Sequence, residues 1–599
     1  GNLALIGASG KNSDLGGAYL YDITSGAEMR RFTAPDGRLL QSFGGSVALC
    51  GPNAVIGAPE DGDLGPTAGA VYYYRPLAGP LPFRTIAKSR DFAPGVVDAD
   101  FGTLLTPAVN SIGEMTMAGT LTGAGSNRNR DRGIWTDTNG PLSLITKSRN
   151  DLTGLNYMNG GEKVGSVSMP VFEQDGFKVF PATLTGTGVT KSNNAVVLGH
   201  DGTALETLAR TGDATVNGLD SALALRFPEV LQTRSPSTSW VVLPYVLNAK
   251  AAGATATTDT GVLVLNQDGS LQDKAAREGQ AMTGLLGATP SSEPGVFGQF
   301  FSRAAVGADA AIQFYGYPAY WLPDGETTAL QSLFADRFNG LEVASIGQGN
   351  SALGMDPAIL FQSVLGETMD SFSWFLYRGT VSGPGVTKSN NEVLWHENVP
   401  AQPLMRKGDE VLGIDSGIFI SRFLKFWPVD TGTAIVLAKL SGKGVSSKND
   451  CIVFLVQDDL TLLPLMREGD IACDWDCPRI GVIQQVEVEP STGRYLIQAS
   501  LTGASTRNQA LFAGSAGYGD SGTGKFKRLP AMVLRKGARF DTGFSDVTTV
   551  KSILIEPRTD KNGAGGKGLG SILNAAGYGV ITIQFQNGAK ELVSGLLVP

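Results

Sequence analysis

Apolar and polar positions alternate along this chain in short runs. Over 156–213 the pattern places four of them: Lys163 to Pro170 (KVGSVSMP), then FKVFPATLTG, NAVVLGH and ETLARTGD. Each run is rich in β-branched residues and bounded by Gly, Asn or Asp, which is how short strands joined by tight turns are written. A helix would instead carry apolar residues three and four positions apart over ten or so residues, and no stretch of useful length keeps that spacing. The pattern predicts four antiparallel strands per unit.

The unit recurs. TGTGVTKSNNAVVL at 185–198 returns as SGPGVTKSNNEVLW at 382–395, displaced by 197 positions. A second signal is a basic residue followed about three positions later by a small polar or acidic one. It reads KSRD at 88–91, KSRN at 147–150, RTGD at 210–213, REGQ at 277–280, RKGD at 406–409, REGD at 467–470 and RKGA at 535–538, with FADRFNG (334–340) and RRFTAPDG (30–37) as degenerate copies. Arg210 and Arg406 lie 196 residues apart, three repeats of about 65, so both signals keep one period. A catalytic motif is written once per active site, whereas a sheet that cannot bury its own faces is repeated until neighbours cover them. Four strands in every 60–70 residues predict an all-β fold: a single large β-propeller ring over 1–599, of eight or nine four-stranded blades, with 1–100 differing in style from 101–599.

Two details of the repeat are expected to be structural. The residue opening the third strand is Asp131, Asn194, Asp259, Asn391, Asp450 or Asn508, a short side chain able to bond its own backbone and to accept a left-handed conformation. The pairs Gly186/Gly188, Gly383/Gly385 and Gly442/Gly444 supply positive φ in the same connection. The Arg and Asp of the turn signals are read as joints between blades or as turn caps.

Composition narrows the function. Seventy-nine Gly and 30 Pro with only 17% charged residues describe many turns, and a net charge of −8 at pI 5.1 argues against nucleic acid as a partner. No apolar run approaches the roughly 18 residues of a membrane-spanning helix. The opening GNLALIGASG is neither an initiator Met nor a signal peptide, and reads as a processed or partial chain. Cys473 and Cys477 in CDWDC are read as a local disulfide of an oxidising compartment, because no His stands beside them to complete a zinc set. The two histidines, His200 and His396, occupy the same place in units three repeats apart, at the hairpin between the third and fourth strands, and are not expected to converge on one substrate. No GxSxG elbow, phosphate-binding Gly-Lys-Ser/Thr loop or HExxH is present.

The first hundred residues write the unit differently, as LALIGASGKNSDLGGAYLYD at 3–22 and FGGSVALCGPNAVIGAPEDGDLGPTAGAVYYY at 43–74. This resembles the FG-GAP repeat of integrin α-subunit propellers and of many secreted bacterial proteins, with Phe43-Gly44 and Gly57-Ala58-Pro59 as the name-giving elements. The later units resemble tandem repeats with REGD-type turns in large secreted or surface-anchored bacterial proteins, a group without an established activity. Both resemblances imply an extracellular or cell-surface location. Calcium-binding FG-GAP blades carry an Asp-rich loop, and here Glu60, Asp61 and Asp63 stand in its place without the full spacing, so calcium is a candidate cofactor and no other is implied.

Aromatic clusters complete the candidates. Tyr315, Tyr317, Tyr320 and Trp321 lie in QFYGYPAYWLP, whose two Pro and Gly316 are expected to break the strand and expose rings on which sugars can stack. The reading is a non-enzymatic extracellular propeller, a building block or interaction module of a bacterial surface or filamentous assembly. Its partners are copies of itself or other surface proteins. The alternatives are an adhesin or glycan-binding propeller, and a secreted polysaccharide-active enzyme with two carboxylates converging in the central funnel.

Overall fold

The computed structural model describes residues 3–598 apart from a set of turns and loops, the longest being 33–41, 75–83, 213–223, 228–239, 248–258, 278–295 and 517–527; over 296–347 it describes the backbone alone. Among the described residues there is no helix, and every sheet is antiparallel within itself. The fold is all-β, with the succession of four-stranded sheets that characterises β-propellers.

Two three-stranded sheets come first, over 3–32 and 46–74. They share a core of Ala18, Leu20, Phe32, Phe43, Ala54 and Ile56. The FG-GAP elements meet one another there. The amides of Gly44 and Gly45 both donate to Gly57 O at 2.9 and 3.2 Å, and the fully buried Phe43 ring lies edge-on to Tyr72 at 5.2 Å. Gly44 holds φ of 90°, and a side chain there would strike Gly17 O.

Eight further sheets follow among the described residues, over 100–147, 162–210, 224–277, 296–347, 360–406, 418–467, 480–535 and 539–596. In the 162–210 sheet the strands run Glu162–Val167, Lys178–Gly186, Ala195–His200 and Leu205–Arg210, with the short Val171–Phe172 beside the second, so the predicted four strands stand within a few residues of their expected places. The last sheet is completed from the other end of the chain. Arg84–Lys88 pairs with Lys590–Leu596, Ala87 opposite Leu592 and Thr85 opposite Val593.

The sheets whose side chains are described bury faces against their neighbours. Ile134 and Ala118 pack on Val164 and Phe180, Val179 and Leu208 on Val241 and Leu263, and Leu376 and Leu394 on Ile420 and Phe454. Further along, Trp427 and Leu455 meet Val486 and Ile497, and Leu496 and Leu511 meet Val550 and Ile581. The 539–596 sheet then returns to the 100–147 sheet, where Val580 and Leu592 pack with Met117 and Trp135. The backbone of the 296–347 sheet touches the 224–277 sheet on one side and the 360–406 sheet on the other.

Candidate functional site

The two repeat signals touch each other. Arg210 Nε donates to Asn193 O at 3.2 Å, Arg406 Nε to Asn390 O at 2.7 Å, Arg467 Nε to Asn449 O at 3.1 Å and Arg535 Nε to Arg507 O at 2.9 Å. The turn arginine thus holds the glycine-rich loop of its own sheet. The turn backbone then reaches the next sheet: Gly408 N donates to Ile420 O and Ile420 N to Asp409 O, Gly469 and Asp470 treat Ile480 likewise, and Gly537 and Ala538 treat Val550 likewise. One turn therefore ties a loop beneath it and a sheet beside it. In Arg210 the tie is also ionic, because its Nη1 meets Glu162 Oε1 at 2.9 Å with both side chains almost fully buried.

Inside the loop the sequence reading is corrected at one position. The asparagine that staples the loop is the first of the pair, not the second: Asn193, Asn390 and Asn449 each accept from the amide three residues back and donate to the carbonyl of Gly188, Gly385 or Gly444. The following residue instead offers its backbone carbonyl to the second strand, as Asn194 does to Leu184 N and Asp450 to Leu440 N. Asn194, Asn391 and Asp450 do not take positive φ, because the preceding glycines, with φ of 123° and 77° at Gly186 and Gly188, have already turned the chain.

Of the candidate binding residues, the structure describes the side chains of Glu60 and Asp61. Glu60 accepts the Ser42 hydroxyl at 2.8 Å, and the buried Asp61 accepts the Tyr72 hydroxyl at 2.6 Å. Asp63 lies outside the described residues, as do Cys473 and Cys477. Among the described residues no group of three His, Cys, Asp or Glu side chains is arranged for a metal. Tyr315, Tyr317, Tyr320 and Trp321 belong to the strand Ile312–Trp321, which runs through Gly316 and Pro318 without the expected break; the neighbouring strand bulges between Phe297 and Phe300 instead. Their side chains lie outside the described residues. The histidines close corresponding strands of different sheets. His396 is fully buried with Nε2 at 3.3 Å from Asp370 Oδ2, and His200 Nδ1 accepts Gly202 N at 3.1 Å, with burial and Lys178 pulling the His200 pKa down.

Among the described residues, the densest chemistry sits in a segment outside the repeat signals. Between Val547–Leu554 and Tyr578–Phe585 the chain inserts residues 555–577, where the same connection spans 430–432 or 490–493 in other sheets and 227–240 in another. Its reach is long. Val109 N donates to Ser571 O at 2.8 Å, and Asn574 Nδ2 donates to Asn110 O at 2.9 Å. Phe426 N donates to Gly563 O and Gly565 N returns to Phe426 O, both at 2.9 Å, which adds one parallel bridge beside the strand Ile418–Val429. Thr368 Oγ1 donates to Gly565 O at 2.8 Å, and Arg558 N donates to Glu487 Oε1 at 2.8 Å. The insertion therefore bonds at or just beyond the first strands of four other sheets, and it lies where those strands converge.

Burial sets the electrostatics here. Glu487 is wholly enclosed, and loss of hydration pushes its carboxyl up to about 7 in spite of bonds from Arg558 N and Gln485 and the attraction of Lys425 and Arg558. The same burial pulls Arg558 down to about 10, against Glu556 and Glu487. Lys567 Nζ lies 2.6 Å from Glu367 Oε1 and 3.3 Å from Asp560 Oδ2, with Lys567 and Glu367 fully buried and Asp560 at 4% exposure. Such charges persist without water only because each is paired. A run of Gly, Asp, Lys and Arg between two strands, longer than its counterparts in the other sheets, was the one signal in the sequence that could have located the cluster.

A family model described as "Family of unknown function (DUF7453)" matches residues 82–153 and 152–593, and one described as "FG-GAP repeat" matches residues 27–74. No curated protein matches the chain. Among solved structures it is similar to the β-propeller domain of the Trilobed protease from Pyrococcus furiosus, at 10% identity and a TM-score of 0.34 over 72% of this chain and 98% of that one. An oligogalacturonate lyase in complex with manganese gives 10% and 0.30 over 74% and 98%. An α-L-arabinanase of Penicillium chrysogenum complexed with arabinobiose gives 12% and 0.22 over 70% and 93%. At such identities and scores, these likenesses say nothing about what this chain binds or does.

Proposed function

The chain belongs to the family of unknown function DUF7453, and on that premise we propose that it is a non-enzymatic, extracellular interaction module whose working surfaces are the outside of a closed ring. The ring comprises eight blades over 84–596, and the two FG-GAP-like sheets before it form a separate unit with its own core. Support for closure comes from the packing of the 539–596 sheet on the 100–147 sheet and from the pairing of Arg84–Lys88 with Lys590–Leu596. An antiparallel strand borrowed from the far end of the chain removes the open sheet edge on which a ring would otherwise come apart.

The observation that carries the non-enzymatic reading is the 555–577 insertion. In a propeller enzyme the catalytic groups face substrate where the first strands converge, and here the chain's own loop occupies that place. Carboxylates do meet there, yet Glu367 and Asp560 face Lys567, and Glu487 faces Gln485 and the Arg558 amide. What remains open is the edge carrying the repeated loops. Thr187, Gly188, Lys191 and Ser192 in one sheet, and Gly383, Gly385, Lys388 and Ser389 in another, are solvent-exposed copies of one surface. A surface repeated around a ring suits partners that are themselves repeated, such as further copies of this chain or an array of other cell-surface proteins.

Light scattering and electron microscopy of the whole chain test this. Regular assemblies that are lost when Lys191 and Lys388 are both changed to Glu would support the reading. A monomer that turns over a polysaccharide, with turnover lost in both Glu367→Gln and Glu487→Gln, would replace it with an enzyme.

A further inference from the structure

We propose that Lys567 and Asp560 become joined by an intramolecular isopeptide bond, formed autocatalytically with Glu367 as the proton carrier. Three observations meet at one point. Lys567 Nζ lies 3.3 Å from Asp560 Oδ2 and 2.6 Å from Glu367 Oε1. The other oxygen of Asp560, Oδ1, accepts two backbone amides, Asn562 N at 2.8 Å and Ala564 N at 3.0 Å. The cluster is closed to solvent, and aromatic residues pack on the turn between Asp560 and Lys567. Trp427 and Phe426 are fully buried; a side chain on Gly565 would collide with the Trp427 indole, and Ala564 is bridged to Phe426.

These positions have the elements of an acyl-transfer site. A nucleophile is held 3.3 Å from an oxygen of the carboxyl group it would attack, so the two reacting groups are already brought together. The two amides on Oδ1 stabilise the charge that develops there when Cγ becomes tetrahedral. Glu367 is within reach of the ammonium as a general base, and can then act as a general acid.

The step balances. Glu367 takes a proton from the ammonium, and the amine attacks Cγ of Asp560 to form the N–Cγ bond. The Cγ–Oδ2 bond then breaks. Oδ2 leaves with the two protons the nitrogen has lost, carried one at a time by Glu367, so ammonium plus carboxylate become an amide plus one water. Glu367 ends as it began, and Oδ1 becomes the amide oxygen, still held by Asn562 N and Ala564 N. Lys567 is directed to Asp560 rather than to Glu367 because the paired amides polarise only the Asp560 carboxyl.

The product closes residues 560–567 into a covalent ring within the insertion. Thr559 and Gly565 already bridge across this turn, and Asp560 N donates to Ala564 O at 2.9 Å. The staple fixes the form in which the segment meets the surrounding strands. The inference concerns the insertion alone and does not depend on the partners proposed above.

Intact-mass spectrometry of the denatured whole chain tests it, with peptide mapping. The expected result is a mass lower than that of the sequence by one water, no tryptic cleavage after Lys567, and a branched peptide containing Asp560 and Lys567. Glu367→Gln and Lys567→Met should each restore the full mass while circular dichroism still shows a folded β protein. A wild-type chain of full mass with Lys567 cleaved normally would overturn the proposal. A cross-link mapped to Glu367, or water loss that persists in Lys567→Met, would overturn the assignment to this pair.

Discussion

The two edges of the sheets are built from the same strands and serve opposite ends. At one edge, where Ile418 faces Gly442 and Ile452 faces Arg467, three of the described sheets repeat the stapled loop and four the arginine turn. At the other, where Val429 faces Thr433, the connections differ from sheet to sheet and one of them has grown into the 555–577 insertion. The repeated edge uses mainly hydrogen bonds to backbone carbonyls, joined in one sheet by the buried Arg210–Glu162 pair. The other edge concentrates buried Lys, Arg, Asp and Glu in one place. Repetition here marks joints, and chemistry collects where the repeat is broken.

The contrast predicts unequal sensitivity. Lys567→Met leaves Asp560 and the fully buried Glu367 without the nitrogen they face, as ammonium or as the amide it becomes, and should cost about 3–5 kcal/mol, read as a lower denaturant midpoint. A change below 1 kcal/mol would mean that water or another cation reaches the cluster, and would erase the distinction between the edges.

Glu487 predicts a pH effect from the same region. Its folded pKa, near 7, stands above the ordinary 4.5, so the folded state holds the proton more tightly than the unfolded state does. That contribution is complete at low pH, declines as pH rises from about 4.5 through about 7, and amounts to about 3 kcal/mol. Glu487→Gln should flatten this part of the melting-temperature profile and raise stability at pH 8. A profile identical to that of the unaltered protein would show that Glu487 is hydrated.

At the repeated edge the effects shrink. Arg467→Ala removes one bond to Asn449 O and should cost about 1–2 kcal/mol in thermal or chemical unfolding, well below Lys567→Met. The smallest effect is of opposite sign. Arg90 holds φ of 71° at the turn position where Gly408 and Gly469 hold 89° and 88°. Arg90→Gly relieves a left-handed strain and should stabilise by about 0.5 kcal/mol after the extra chain entropy of glycine is counted. A loss of stability there would assign the Arg90 side chain a contact of its own.

Much of this fold was legible in the chain. The alternation placed the strands of the 162–210 sheet within a few residues, and the glycine pairs were rightly assigned to positive φ. The stapling role went to the wrong residue of each pair, because both suit a tight turn and only the loop's path shows which one closes it. The strand expected to break at Gly316 and Pro318 continued, since a bulge in its partner absorbed the irregularity. Alternation and turn residues are local properties, set by interactions a few positions apart.

By itself the sequence determined the unit, its period and its joints, because each of these follows from backbone geometry that neighbouring residues impose. Only the tertiary structure decided what meets at the place where the sheets converge. Lys567 finds Glu367 across 200 positions, and Arg558 finds Pro107 O across 451. No spacing in the chain records such a meeting. It exists because packed sheets bring the ends of distant strands to one dry volume, where a charge is stable only opposite its partner.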